Sequence, residues 1–392
     1  MGKLKIMEMI DRLSLGGGQT ALLLLAEHLD RSRFEVIVAG GEGPLLEEAK
    51  RKSVCLLPVS LRKSASLRSV REVASALRSN RIDILHTHGG IAGLYGRLGA
   101  ALARTPVVVH TLHGIHYLHY RNPVLRRLSI FLERGCSRLT DGLVLVCQSD
   151  LERAKKHRLA AGTKMTVIRN GIEVQSNFKS EEVAAKRREL GWEPGRPVVG
   201  TVARLHRQKG ILYLLRAAKQ VLIEFPEALF AVVGEGPLGR KLREEARALK
   251  LGEKFLFLGE RKDAATILAG LDIFVLPSLW EGLPFVLVEA ASLGKPIIAA
   301  AVDGVPEIVT DAATGILVPP KTPSALADAI LGLLGDRERA SCLGERARAL
   351  IPPRFPLRRM IEQTEALYLD LYKKRTSSII TSNGRSENRP RP

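Results

Sequence analysis

A chain of 392 residues with 45% apolar and only 5% aromatic content is long enough for two domains with sizeable cores, which excludes a disordered or fibrous class. Its formal charge of +19 is uneven: the first 180 residues carry 28 Lys and Arg against 15 Asp and Glu, the remainder 32 against 26. Such an excess speaks to anionic partners or to a solubilising surface and not to fold.

The N-terminal "KLKIMEMI" has no small-residue cleavage site after it, so no signal peptide is expected. No uninterrupted apolar run reaches about 18 residues, the length a spanning helix needs. The nearest, Phe285 to Val302, contains Glu289 and Lys295. Four scattered cysteines (Cys55, Cys136, Cys147, Cys342) lack ligand-like spacing and read as reduced thiols of a cytoplasmic protein.

Along the chain, short β-branched runs alternate with amphipathic helical stretches. Strands are expected at Lys5–Ile10, Glu35–Ala39, Ile82–His86, Val107–Thr111, Gly142–Cys147 and Met165–Arg169, then at Val198–Ala203, Leu229–Val233, Phe255–Leu258, Ile273–Pro277 and Ile297–Ala301. Helical periods between them include Thr20–Leu29, Leu67–Ser79 and Gly239–Leu249. This alternation predicts an α/β chain of doubly wound parallel sheets. The pentapeptide GEGPL occurs at Gly41–Leu45 and again at Gly234–Leu238, 193 positions on. The same offset lays "KIMEMI" on "VVGTVA" and Gly17 on Gly210, so one plan is written twice.

The expected organisation is a first domain over 1–175, a second over 176–352, a final helix over 353–375 after Pro352-Pro353, and a disordered polar tail over 376–392. Ligands of open parallel sheets sit beyond the carboxyl ends of the strands. Two such domains facing each other are expected to enclose a cleft lined by strand-end loops.

Four stretches carry chemistry. "SLGGGQT" puts Gly17 and Gly18 between a strand and a helix, where amides can cradle an anion or simply make a turn. Histidines crowd "HTH" (His86, His88) and "HTLHGIHYLHY" (His110, His113, His116, His119). With no H-E-x-x-H and no carboxylate in the run, no metal is expected, and His113 at a strand end is the candidate to face a ligand.

"VARLHRQKG" sets Arg204 and Lys209 at a strand's carboxyl end, a fork and a point charge suited to a diphosphate. "PSLWEGLPFVLVEAASLGKP" places Glu281 before a helix and Glu289 in its second turn, with Pro284 at the first helical position. Glu289 serves either a ligand hydroxyl or a salt bridge to another helix. "GEGPLG", from Gly234, also satisfies G-x-G-x-x-G, but on the second strand of its half and with a proline inside, a poor dinucleotide loop.

Together "LGGGQT", "HTLHG", "VIRNGI", "VARLHRQKG", "VVGEGPL", "FLGE", "LPSLWEGLPFVLVEA" and "GVPEIV…TGILVPP" resemble the GT-B glycosyltransferases of the group 1 family (family 4) over roughly residues 3 to 374. The resemblance implies two Rossmann-like domains facing a central cleft, with the last helix crossing back to the first. It also implies a nucleotide-diphosphate-sugar co-substrate (UDP, GDP or ADP type), no cofactor, and retaining transfer without metal.

Residue by residue, it puts Arg204 and Lys209 on the diphosphate and Glu289 on the ribose hydroxyls. Glu281 and the following Gly282, Leu283, Pro284 and Phe285 meet the transferred sugar, and His113 meets it near the reacting carbon. Gly17, Gly18 and Gly234 approach the donor, and Glu260 and Arg261 border its base. Where the family often has Glu after the glycine loop, this chain has Gln19. The absence of any D-x-D removes the usual carboxylate pair for a Mg²⁺ diphosphate complex.

The stretch "YRNPVLRRLSIFLERGCSRL" mixes Arg121, Arg126, Arg127 and Arg134 with Leu125, Leu128 and Phe131. It reads either as a contact with anionic lipid at the inner membrane's cytoplasmic face, suited to a glycan or lipid-linked acceptor, or as an ordinary solvated helix. The function expected is glycosyl transfer in bacterial surface polysaccharide or lipopolysaccharide synthesis. Rival readings are a nucleotide-sugar epimerase or hydrolase, an NAD-dependent oxidoreductase, and a basic nucleic-acid binder; no nucleic-acid module is evident.

Overall fold

A computed structural model of the chain describes residues 2–14, 16–51, 55–59, 61, 66–173 and 178–384. Contacts divide it into two compact units, one of Met1–Asn170 with the chain from Leu357 onward, the other of Gly171–Pro356. The domain boundary expected at 175/176 lies outside the described residues.

The first unit holds seven parallel strands: β1 (Leu4–Arg12), β2 (Phe34–Gly41), β3 (Cys55–Pro58), β4 (Ile84–His88), β5 (Val107–Leu112), β6 (Gly142–Leu145) and β7 (Met165–Val167), in the order β3-β2-β1-β4-β5-β6-β7. Alternate side chains of the central strands enter two cores. Ile6, Ile10, Val36 and Val38 pack with Leu22, Ala26, Met360 and Tyr368 from the helices Gly17–His28 and Leu357–Gly384. Met7, Met9, Leu85 and Val108 pack with Val73 and Tyr95 from the helices Leu67–Ser79 and Gly90–Ala103. Each such side chain contributes about 2 kcal/mol by leaving water, which is why these strands read as continuous apolar runs.

The second unit repeats the plan with β8 (Val198–Val202), β9 (Leu229–Val233), β10 (Phe255–Gly259), β11 (Ile273–Leu276), β12 (Ile297–Ala300) and β13 (Ile316–Val318), in the order β10-β9-β8-β11-β12-β13. Both sheets are therefore doubly wound, and in each the strand order reverses beside the first strand, between β1 and β4 and between β8 and β11.

The two GEGPL copies close the same turn. Leu13 N donates to Gly41 O and Leu45 N to Leu13 O, both at 3.0 Å; Leu205 N donates to Glu235 O and Leu238 N to Leu205 O, also at 3.0 Å. A Cβ at Gly43 would stand 2.1 Å from Leu13 O, and one at Gly236 2.6 Å from Leu205 O. The repeated glycine thus lets the turn after the second strand sit on the loop after the first. Gly234, at φ +132 with its Cβ position 2.3 Å from Ala203 O, has the same packing cause.

Several expectations are corrected. The edge strands β3 and β13 do not stand out in the sequence, being four and three residues long and largely half-exposed. Gly17 is not in a loop but opens the first helix, with Gly16 as its cap. Pro284 caps the helix Phe285–Ser292 instead of starting it, a shift of one residue. The last helix runs from Leu357 to Gly384, past Lys374 and into the tail expected to be disordered from Thr376. The Thr376 hydroxyl donates to Tyr372 O and Lys373 O, and no proline or glycine interrupts the chain before Gly384. Residues 385–392 lie outside the described residues.

Candidate functional site

In the second unit Lys209 and Glu281 meet where β8 and β11 lie side by side, at the reversal of strand order. Arg204 follows β8, is exposed, and has no side-chain partner among the described residues. The chain then turns through Arg207–Lys209 to Gly210, whose φ is +64 and whose absent Cβ would lie 1.9 Å from Pro277 O. Only glycine allows this approach, and it lays the Arg204–Gly210 segment on the loop after β11. Leu279 N donates to Gln208 O at 2.7 Å, and the Arg207 guanidinium covers the Trp280 ring at 5.6 Å.

That contact assembles a group the sequence did not foreshadow. Glu281, 4% exposed, accepts from Lys209 Nζ at 2.6 Å, from Ser278 Oγ at 2.6 Å and from Gln208 Nε2 at 3.3 Å. Its own N–H donates to Asp303 Oδ2 at 2.8 Å. The carboxylate placed just before the helix start is a buried hub that fixes the Lys209 ammonium. Burying it is tolerable because a cation and two further donors replace its water.

Gly282, Leu283, Pro284 and Phe285 are all buried, which leads the chain into the helix bearing Glu289. The Glu289 carboxylate has no ion pair or hydrogen bond among the described residues, so the salt bridge to another helix is not made. Surrounding protein pushes its pKa up, though solvent reaches the side chain and limits that desolvation. Arg261 is not a free cation. Its Nε donates to Asp263 Oδ1 at 2.8 Å and its Nη2 to Asp263 Oδ2 at 2.7 Å and Glu189 Oε1 at 3.0 Å.

The first unit has its own cluster at the β1/β4 reversal. His86 and His88 are two apart on β4 and share a face, with Glu8 paired to His86 in register. Glu8, fully buried, accepts from the Tyr368 hydroxyl at 2.6 Å and from His88 Nε2 at 2.8 Å. His86 Nδ1 lies 2.5 Å from Tyr368 Oη, and His86 Nε2 2.7 Å from Thr111 Oγ1. His88 Nδ1 meets His113 Nε2 at 2.9 Å.

Burial alone would raise the Glu8 carboxyl, but the pull of His86 and the hydrogen bonds from His86 and His88 hold it well below the usual range. His113 follows β5 directly, and a Cβ on Gly18 would be 3.1 Å from its ring, so Gly18 packs against the imidazole. His116–His119 form a separate turn, and His110 binds Thr87 on the sheet's other face. Glu8, His86 and His88 have the composition of a metal site, with ligand atoms within 4.8 Å of one another. Every one of those atoms is engaged in the hydrogen bonds just described.

Sequence reasoning missed Glu8, Ser278, Gln208 and Tyr368. Only Glu8 left a signal: a lone carboxylate amid the apolar β1, which burial obliges to find donors.

Comparison with known proteins agrees with this architecture. The profile of Glycosyltransferase Family 4 matches residues 15–176, and that of Glycosyl transferases group 1 matches residues 182–350. The chain is 28% identical over 368 residues to the UDP-Gal:alpha-D-GlcNAc-diphosphoundecaprenol alpha-1,3-galactosyltransferase of Escherichia coli, covering 91% of this chain and 94% of that one. It is 30% identical to the D-inositol 3-phosphate glycosyltransferase of Corynebacterium glutamicum, covering 68% and 67%. Among solved structures, Anabaena HepE in complex with UDP and glucose superposes with a TM-score of 0.83 at 22% identity, over 94% of this chain and 100% of that one. The fold is GT-B, and the last helix belongs to the first unit.

Proposed function

The chain belongs to the group 1, family 4 glycosyltransferases, and from that premise we propose which reaction it performs and with which residues. It transfers a sugar from a nucleotide-diphosphate sugar to a glycan or lipid-linked acceptor in bacterial surface polysaccharide or lipopolysaccharide synthesis. The anomeric configuration is retained and no metal takes part.

The observation that carries this reading is the Lys209–Glu281 pair at the carboxyl ends of β8 and β11, with Arg204 and Glu289 of the same unit unpaired among the described residues. Arg204 takes the diphosphate as a fork and Lys209 as a point charge held by Glu281, so both oppose the charge that grows on the leaving group. Glu289 accepts from the ribose hydroxyls, and the backbone from Glu281 to Phe285 borders the transferred sugar. Gly17, Gly18 and His113 are the first unit's contribution. The E. coli relative is named for a UDP-sugar donor and a diphosphoundecaprenol acceptor, which supports the same classes here.

Turnover of UDP-, GDP- and ADP-sugars with a lipid-linked acceptor, followed by NMR of the product's anomeric centre, tests the reaction. The donor's configuration is expected to be kept, and EDTA to leave the rate within about twofold, since two cations serve the diphosphate. An inverted linkage, or a rate abolished by EDTA and restored by Mg²⁺, would contradict it.

The acceptor side is assigned to the membrane's cytoplasmic face. The helix Pro123–Ser137 buries Glu133, Cys136 and Ser137 and is pinned by the Glu133 pair with Arg97, at 2.6 and 3.0 Å. Its outer face exposes Val124, Leu125, Leu128 and Phe131 (the last 70%) beside Arg126 and Arg127. No helix among the described residues is long and apolar enough to cross a membrane. Apolar side chains among arginines suit the headgroup region of an anionic bilayer. Co-sedimentation with phosphatidylglycerol vesicles is expected to weaken roughly thirtyfold in Arg126→Ala/Arg127→Ala, about 1 kcal/mol per charge. Unchanged, salt-insensitive binding would remove the membrane from the account.

A further inference from the structure

Glu281 is held at both ends, from two different strands. Its carboxylate is taken from the β8 side, by Lys209 Nζ at 2.6 Å and Gln208 Nε2 at 3.3 Å. The same Gln208 amide donates to Trp280 O at 3.1 Å. The Glu281 N–H is taken from the opposite side, by Asp303 Oδ2 at 2.8 Å, on the loop that follows β12. Since β8 and β12 flank β11 in the sheet, the loop after β11 is pinned from both of its neighbours.

Asp303 reaches Glu281 from a strained backbone. Val305 N donates to Val302 O at 2.9 Å, which closes a turn with Asp303 and Gly304 at its centre. Asp303 has φ +45, while Gly304 has φ −81 and ψ −3. A positive φ at the first central position of a turn suits glycine best, with Asn and Asp tolerated. Here the glycine stands next door and the aspartate takes the left-handed place. Glycine would make the same turn without strain and would lack only the side chain. Strain of this kind persists where the surrounding structure uses it, and this side chain holds the Glu281 amide.

We propose that Asp303 is a positioning residue of the transfer reaction: by holding the Glu281 N–H it fixes the loop after β11, and with it the Lys209 ammonium and the chain from Glu281 to Phe285 that meet the donor. The proposal rests on the placement of the donor given above. Asp303 acts through Glu281, whose carboxylate sets where the ammonium stands. A loop released on its β12 side drifts with Lys209 and Glu281 still paired, and an ammonium displaced by about 1 Å serves a diphosphate poorly.

Two variants of the full-length protein separate the carboxylate from the turn. Asp303→Gly keeps the left-handed turn and removes the hold on Glu281. Asp303→Asn keeps the turn and a carbonyl oxygen that accepts from the Glu281 N–H. Turnover of UDP-, GDP- and ADP-sugars with a lipid-linked acceptor is read beside Tm. Asp303→Gly is expected to lose about tenfold in donor kcat/KM, and Asp303→Asn no more than about threefold. The loss should fall mainly on kcat, because the charge that Lys209 opposes grows toward the transition state. Tm should stay within about 4 °C of the wild type in both, since relief of the left-handed strain offsets part of the lost hydrogen bond in the glycine variant.

A kcat/KM unchanged in Asp303→Gly overturns the proposal. So does a loss that Asp303→Asn shares in full, or one that tracks a fall in Tm, as a turn needed only for folding would give. Donor binding indifferent to Arg204→Ala overturns instead the placement of the donor, whatever Asp303→Gly does.

Discussion

Arg204→Ala is expected to weaken nucleotide-sugar binding about a hundredfold, the factor for roughly 3 kcal/mol of charge-assisted, forked hydrogen bonding to a diphosphate. Glu289→Ala is expected to lose about thirtyfold, through its bonds to ribose hydroxyls. Thermal stability should be nearly unchanged in both, because neither side chain has a partner among the described residues. Binding and folding are thereby separable at these positions. Arg204→Lys keeps the charge but not the fork and should fall between, at about a tenfold loss. Lys209 is a poorer probe, since removing its ammonium strands the buried Glu281 carboxylate and disturbs the fold together with the site.

Gly210→Ala carries the largest expected effect on stability. An alanine there must adopt φ near +64 and place its Cβ 1.9 Å from Pro277 O, a backbone atom that no rotamer can move aside. The left-handed conformation costs roughly 1–2 kcal/mol, and relieving the clash roughly 1–3 more. A total near 3 kcal/mol lowers Tm by about 6–12 °C for a unit of this size. Gly252→Ala is the control, with φ +53 and nothing within 4 Å of its Cβ position. It should lose only the conformational part. Equal Tm values for the two variants, by calorimetry or circular dichroism, would refute the close approach of the Arg204–Gly210 segment to the loop after β11.

The duplicated sheets were legible because GEGPL recurs 193 positions on and because most of the central strands are buried, largely apolar runs. The edge strands β3 and β13 were not, since short half-exposed strands carry little pattern. Arg204, Lys209, Glu281 and Glu289 could be chosen from motif spacing, but the state of Glu281 could not. Ser278 and Lys209 reach it from two strand ends that adjoin only once the sheet is built. Arg261 likewise looked available until the fold set Asp263 and Glu189 against it. His113 could be chosen from its place at a strand end, while its hydrogen-bonded neighbours were hidden. Glu8 sits in an apolar strand without a motif, and Tyr368 lies 360 residues away on the last helix.

Isothermal titration of UDP-, GDP- and ADP-sugars into the wild type, Arg204→Ala and Glu289→Ala tests the central claim most directly. At least one donor is expected to bind the wild type, both substitutions to weaken it by the factors above, and EDTA to have little effect. Equal affinity in all three proteins would contradict the assignment of the donor to these residues.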